Sequence, residues 1–225
     1  MNNPLYVALD TPDLAAARAL AVAVAPHVGG LKLGLEFFVA NGLTGALVLA
    51  GTGLPIFLDL KLHDIPNTVA GAIRALGPLS PAIVTVHAAG GHAMMRAAKT
   101  SAPPGCKVVA VTVLTSLDTH DLAELGLGMS PAALAMSYAA SARGAGLDGI
   151  VCSPHEVRAI KAAWPDALAV VPGVRPEGGA AGDQKRAATP AEALSAGADI
   201  LVVGRPITGA PDPGAAACDL LTAFP

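Results

Sequence analysis

Aromatic residues make up only 3% of the 225-residue chain, although hydrophobic residues make up 53%. Such a core has to be assembled from Ala, Val, Leu and Ile, which suits many parallel strands buried on both faces beneath helices. Charge is scarce too: charged residues are 14%, the net charge is −3, and no run of Lys or Arg exceeds the pair Lys185–Arg186. Nucleic acid or an anionic membrane surface would call for a basic patch. Neither is expected as a partner, and any anionic ligand has to be small and held locally. Cys106, Cys152 and Cys218 are odd in number, far apart and without a Cys-x-x-Cys pair. That argues against a disulfide framework or a zinc knuckle and reads as small buried apolar side chains in a reducing compartment. Apolar runs such as Ala19–Pro26 are too short to cross a bilayer. The start of the chain carries Asp10 and Asp13 and no basic flank before an apolar run, unlike a signal peptide. A soluble cytoplasmic protein is expected.

What is present is an alternation of short apolar runs and Ala-rich helical stretches. The predicted strands are Leu5–Asp10, Gly30–Gly34, Ile56–Lys61, Ala82–His87, Val108–Thr115, Gly149–Ser153, Leu168–Pro172 and Ile200–Gly204. Between them lie helical segments such as Leu14–Ala25, Thr68–Leu76, Met94–Ser101, Ala132–Ala142, His155–Ala162 and Pro190–Ala196. Thr11-Pro12-Asp13, Ser130-Pro131, Ser153-Pro154 and Thr189-Pro190 supply capping and first-turn signals. The first five strands begin about 25 residues apart, the length of one strand–helix unit. A longer gap before the sixth holds an extra helical piece, Thr119–Leu125. A doubly wound open sheet would usually carry Gly-x-Gly-x-x-Gly after its first strand, where this chain reads Leu9-Asp10-Thr11-Pro12. The expectation is an α/β chain folded as a single (β/α)8 TIM barrel over residues 1–225. Its chemistry belongs at the C-terminal ends of the strands.

Those ends carry Asp10, Lys32, Asp59 and Lys61, His87, Thr115, Ser153, Pro172 and Gly204-Arg205. The densest stretch runs from Phe57 to Thr68. Asp59 and Lys61, two apart on a strand, are expected to face the same way, opposite Leu58, Leu60 and Leu62. Asp64 follows where a loop begins, and Lys32 sits at the matching end of the neighbouring strand. Two lysines and two aspartates would then converge on one mouth. One reading is a structural ion-pair network, in which any unpaired buried charge would cost several kcal/mol. The other is a site in which a Lys donates a proton while carboxylates hold it and press on the substrate.

Two further segments bear on a ligand. Gly204 lets backbone approach closely and Arg205 offers a fork of donors, at the strand ends where such barrels usually bind phosphate; a plain strand–helix turn with a surface Arg is the alternative. Pro172 to Arg186 is glycine-rich and polar and reads as a lid whose Gln184 could reach a polar ligand, or as a merely floppy loop. His63 and His87 could be imagined with Asp10 and Asp59 around a divalent metal. However, no His-x-His or His-x-x-x-His spacing occurs, and Lys32 and Lys61 would repel the ion. No nucleophile elbow or Walker loop is found.

Asp59-Leu-Lys61-Leu-His-Asp64-Ile-Pro-Asn-Thr68 resembles the signature of the orotidine 5′-phosphate decarboxylase family. Leu31-Lys32-Leu33-Gly34, Val113-Leu114-Thr115-Ser116, and the run from Pro172-Gly-Val-Arg175 through Gly182-Asp-Gln184 to Val203-Gly204-Arg205-Pro206 agree with it in order along the whole chain. The resemblance implies a homodimeric enzyme without metal or organic cofactor that turns orotidine 5′-phosphate into uridine 5′-phosphate. Lys61 would protonate the ring carbon left anionic as carbon dioxide departs, and Asp59 would face the substrate carboxylate. Lys32 and Asp64 would complete the charge network, with Asp64, Ile65 and Thr68 belonging to a site shared between subunits. Asp10 would hold the ribose, Thr115 the pyrimidine, Gln184 the base and phosphate side, and Arg175, Gly204 and Arg205 the rest of the substrate, the last two at its phosphate. The nearest rival is a keto-sugar-phosphate decarboxylase, such as the 3-keto-gulonate 6-phosphate enzyme, which shares the barrel and an Asp-x-Lys-x-x-Asp core but relies on magnesium. A non-catalytic nucleotide-binding barrel is the other; it need not keep Lys61, Asp59, Asp64 and Lys32 together.

Overall fold

The computed structural model describes residues 3–174 and 188–222. Eight parallel strands close into a barrel in chain order. They are β1 (Leu5–Ala8), β2 (Gly30–Leu33), β3 (Ile56–Leu62), β4 (Ile83–His87), β5 (Lys107–Val111), β6 (Gly149–Val151), β7 (Leu168–Val171) and β8 (Ile200–Val203). Around them run α1 (Leu14–Val24), α2 (Leu35–Ala50), α3 (Pro66–Ala75), α4 (Gly91–Ser101), α5 (Thr119–Glu124), α6 (Pro131–Gly144), α7 (Val157–Ala163), α8 (Pro190–Ser195), α9 (Arg205–Thr208) and α10 (Pro213–Thr222). Helix starts follow the local chemistry: the Asp13, Ser130 and Thr189 side chains accept backbone N–H groups of the first turns of α1, α6 and α8.

The strands are apolar on both faces because each face is covered. Leu5, Val7, Leu31, Leu33, Leu58, Val84, Val86, Ile150 and Leu201 pack outward into the main core beneath the helices. Ala8, Phe57, Ile83, Val109, Val170, Ile200 and Val202 fill the barrel itself. Two of the few aromatic rings are used there: Tyr6 and Phe57 meet edge to face with centroids 6.5 Å apart. A Cβ at Gly30 would stand 2.3 Å from the Tyr6 ring, so glycine at that position makes the room for it. The interior is therefore closed with side chains at its N-terminal side, and the polar residues of β2 and β3 open above it. No helix among the described residues is long and apolar enough to cross a membrane.

The structure differs from the sequence reading in several places. β5 ends at Val111, not Thr115, because the apolar run Val111-Thr112-Val113-Leu114 continues after the chain has left the barrel. α2 lacked a sequence signal of its own; it holds two glycines and is kinked at Gly42, whose φ is 59°. Cys106 and Cys152 are buried, but Cys218 is exposed. It lies on α10, which buries Gly214, Ala217 and Leu220 instead.

Candidate active site

A cavity of about 350 Å³ opens at the C-terminal ends of the strands. Asp10, Lys32, Asp59 and Lys61 line it, together with Thr115, Ser116, Gly204 and Arg205. Val113, Val151, Val170, Pro172 and Val202 form an apolar wall. In such surroundings the charges act across a lower dielectric than water.

The charged groups form a line of alternating sign. Lys32 Nζ lies 3.1 Å from Asp10 Oδ1 and 3.6 Å from Asp59 Oδ2, and Lys61 Nζ lies 2.8 Å from the same Asp59 oxygen. Asp59 and Lys32 are nearly buried, at 15% and 10% side-chain exposure, whereas Lys61 keeps 31%. Burial alone would push the Asp59 carboxyl up. The Lys32 and Lys61 ammonium groups, with hydrogen bonds from Lys61 and Thr85, outweigh it and hold the carboxyl below its ordinary value. Asp59 is thus an ionised carboxylate between two cations.

Asp59 and Lys61 meet, but not through regular strand alternation. Between Leu58 and Leu62 the pairing of β3 with β4 slips, and Lys61 adopts a φ of 50°. That left-handed conformation is uncommon for a residue with a Cβ. The bulge returns the Lys61 side chain to the cavity, as such irregularities often do beside a site. Gly34, just past β2, has its own reason: a Cβ there would stand 2.8 Å from Asp10 Oδ1 and 2.9 Å from Lys32 Nζ.

Asp64 does not join the cluster as expected from the strand reading. It is exposed, makes no ion pair among the described residues, and accepts a hydrogen bond from the backbone N–H of Ile65 at 2.6 Å. Ile65 and Thr68 are exposed with it at the start of α3, and none of the three lines the cavity. The reason is the path of the chain, which leaves the barrel after Leu62 and enters α3 at Pro66. Thr115 lies in a turn beyond β5 and still reaches the cavity. A Cβ at Gly204 would meet Ala8 at an ordinary 3.6 Å, so packing within the chain does not account for glycine there. Arg175 and Gln184 lie outside the described residues.

His63 and His87 stack on one another with ring centroids 5.5 Å apart, and neither lines the cavity. Burial, together with His63 and Lys61 nearby, holds the His87 imidazole below its usual value. Among the described residues no group of three or more His, Cys, Asp and Glu is gathered as metal ligands would be. Sequence reading missed Ser116, the apolar wall and Thr85. The wall was foreshadowed only by the inward positions of β6, β7 and β8, where Val is indistinguishable from core.

Comparison with known proteins resolves which family uses this arrangement. The sequence profile of the Orotidine 5'-phosphate decarboxylase / HUMPS family matches residues 3–220. The chain belongs to that family. An orotidine 5'-phosphate decarboxylase of Sphingopyxis alaskensis is 61% identical over 220 residues, 98% of each chain. One from Anaeromyxobacter sp. is 59% identical over 217 residues, 96% of each. A crystal structure of orotidine 5'-phosphate decarboxylase from Lactobacillus acidophilus superposes with a TM-score of 0.86 at 38% identity, covering 99% of both chains. The family's barrel is the barrel described above.

Proposed function

We propose that this chain is a carboxy-lyase that converts orotidine 5′-phosphate to uridine 5′-phosphate, the last step of de novo pyrimidine nucleotide synthesis. The observation that carries the reading is the line Asp10–Lys32–Asp59–Lys61 in a cavity of about 350 Å³, in a chain 61% identical to a relative of that name. The keto-sugar rival lacks an equal claim, because the relatives reported above carry the nucleotide enzyme's name along nearly their whole length.

The residues give the reaction a physical course. The bond between the pyrimidine ring carbon and the carboxylate breaks, its electron pair stays on the ring, and carbon dioxide departs. With no electron sink, that carbanion depends on fixed charge aimed at it. The Lys61 ammonium, oriented by Asp59 at 2.8 Å, supplies the charge and then the proton. Asp59, kept ionised by its two lysines, stands against the substrate carboxylate, and this repulsion vanishes as carbon dioxide leaves. Lys32 completes the charge line, Asp10 holds the ribose hydroxyls, Thr115 the pyrimidine, and Gly204 with Arg205 the phosphate; the family resemblance gives Arg175 and Gln184 substrate-binding roles as well. Phosphate binding far from the reacting carbon can be used to assemble the site.

Asp64, Ile65 and Thr68 serve the site of a second copy in a homodimer. Their exposure on their own chain, with Ile65 at 68%, supports this. Residues 1–225 act as one catalytic domain, a cytoplasmic location suits nucleotide synthesis, and neither a metal nor an organic cofactor takes part. The test is to mix purified, exhaustively chelated protein with orotidine 5′-phosphate and follow the loss of its ultraviolet absorbance. Turnover at the untreated rate is expected. No turnover by untreated protein sinks the reading, and loss on chelation restored by magnesium favours the keto-sugar rival.

A further inference from the structure

Thr85, in the middle of β4, has no exposed surface and does not line the cavity. Its surroundings are nevertheless unusual. Leu58 pairs with Val84 and Leu62 with Val86, so Asp59, Leu60 and Lys61 all stand against the single residue Thr85. A bulge of that size interrupts the ladder and leaves main-chain groups to be satisfied by something else. The Lys61 backbone N–H donates 2.8 Å to Thr85 Oγ1, and that hydroxyl lies 3.1 Å from Asp59 Oδ1.

The direction of each bond follows from what the groups can do. The amide can only donate and the ionised carboxylate can only accept, so the single hydroxyl proton goes to Asp59 and a lone pair receives Lys61. Asp59 then has its oxygens divided: Oδ1 to Thr85, and Oδ2 to the ammonium groups of Lys61 and Lys32. One hydroxyl therefore pins the carboxylate plane of Asp59 and the left-handed backbone of Lys61 together. Thr112 on the neighbouring segment shows the ordinary alternative, since its buried hydroxyl donates to the main-chain carbonyl of Val151 at 3.0 Å.

We propose that Thr85 is a positioning residue for the decarboxylation, holding Asp59 and Lys61 in reacting geometry through its hydroxyl without touching substrate. The proposal rests on the decarboxylase reading and extends it to the buried strand behind the charge line. Misplacing a reacting group by a fraction of an ångström lowers the chemical step more than substrate capture.

Thr85→Val keeps the shape and removes the hydroxyl. In folded protein its kcat is expected to fall on the order of 10- to 100-fold, while KM and the affinity for uridine 5′-phosphate change less than about threefold. Thr85→Ser should return kcat to within about threefold of wild type. Thr112→Val, which deletes a hydroxyl bound only to main chain, should lower Tm and leave kcat in place. Wild-type kcat in Thr85→Val, a Thr85→Ser as slow as Thr85→Val, or an equal fall in Thr112→Val would each overturn the proposal. If Thr85→Val does not fold, Thr85→Cys takes its place: its weaker donor should cut kcat with KM retained, and an undiminished kcat overturns the proposal in the same way. Wild-type turnover separates this from the functional reading. An inactive wild type sinks both, whereas an active wild type with an equally active Thr85→Val sinks only the role of Thr85.

Discussion

Asp10 and Lys32 are held together above a residue with no side chain at all. Gly34 has an ordinary negative φ, so its backbone does not demand glycine; the demand comes from the ion pair. Adding a methyl group would place a carbon 2.8 Å from Asp10 Oδ1 and 2.9 Å from Lys32 Nζ. Both atoms are the free ends of side chains and can swing aside, so the fold should tolerate the change. The geometry of the pair should not. Gly34→Ala is expected to leave Tm within about 2 °C and to lower kcat/KM at least about tenfold, since losing the hold of one charged group is worth roughly 1.5–3 kcal/mol. A thermal melt beside a steady-state assay reads both; unchanged kcat/KM would show that the Asp10–Lys32 contact is dispensable. In the sequence the same glycine read only as part of a family block.

At the scale of elements, the barrel's N-terminal side carries a repeated device of stability, separate from the chemistry. Gly146-Leu147-Asp148 leads into β6 and Gly197-Ala198-Asp199 into β8, with φ values of 79° and 105° at the two glycines. Asp148 Oδ2 accepts from the Val108 amide of β5 at 2.8 Å, and Asp199 Oδ2 from the Ala169 amide of β7 at 2.7 Å. Each carboxylate thus extends the ladder by one bond and takes a lysine as well, Lys99 at 2.5 Å and Lys161 at 2.7 Å. Burial would raise the Asp148 carboxyl, but the bonds from Lys99 and Val108 and the charges of Lys99 and Lys107 hold it below its ordinary value. A carboxyl depressed in the folded state stabilises above its unfolded pKa, near 4, and loses that contribution as pH falls through the folded value. Asp148→Asn should therefore cost about 2 kcal/mol at pH 7, with the gap to wild type closing below about pH 4. Urea melts across that range decide it, and a gap that stays constant with pH would assign the cost to packing. Strand positions were legible because both faces are apolar. Their ends were not: hydropathy cannot mark where Val111-Thr112-Val113-Leu114 stops pairing, nor that Lys61 leaves the strand's alternation.

For the molecule as a whole, the identity of the charged residues was readable in the strand pattern, but that pattern drew Asp64 into its own mouth, and only the family resemblance assigned it to a site shared between subunits. Asp10, Lys32, Asp59 and Lys61 gather as a fold of this class requires, but Asp64 is carried outward by the turn into α3. Its carboxylate, beside an Ile65 that is 68% exposed, suits a neighbouring molecule better than its own cavity. A two-fold interface would offer each chain the other's loop. The consequence can be counted. On the proposed shared site, Lys61→Ala and Asp64→Asn should each be inactive as homodimers, the first without the proposed proton donor and the second without the carboxylate that a partner would supply. When the two are mixed and subunit exchange is verified independently, about half the dimers become hybrids. In a hybrid with shared sites, one site collects both lesions and the other collects none. Roughly a quarter of all sites should then regain native turnover under two-fold symmetry. If Asp64 instead acts on its own chain, every site in every hybrid retains one lesion. Verified exchange without recovered turnover would rule out the shared site and leave Asp64 a surface residue of its own barrel.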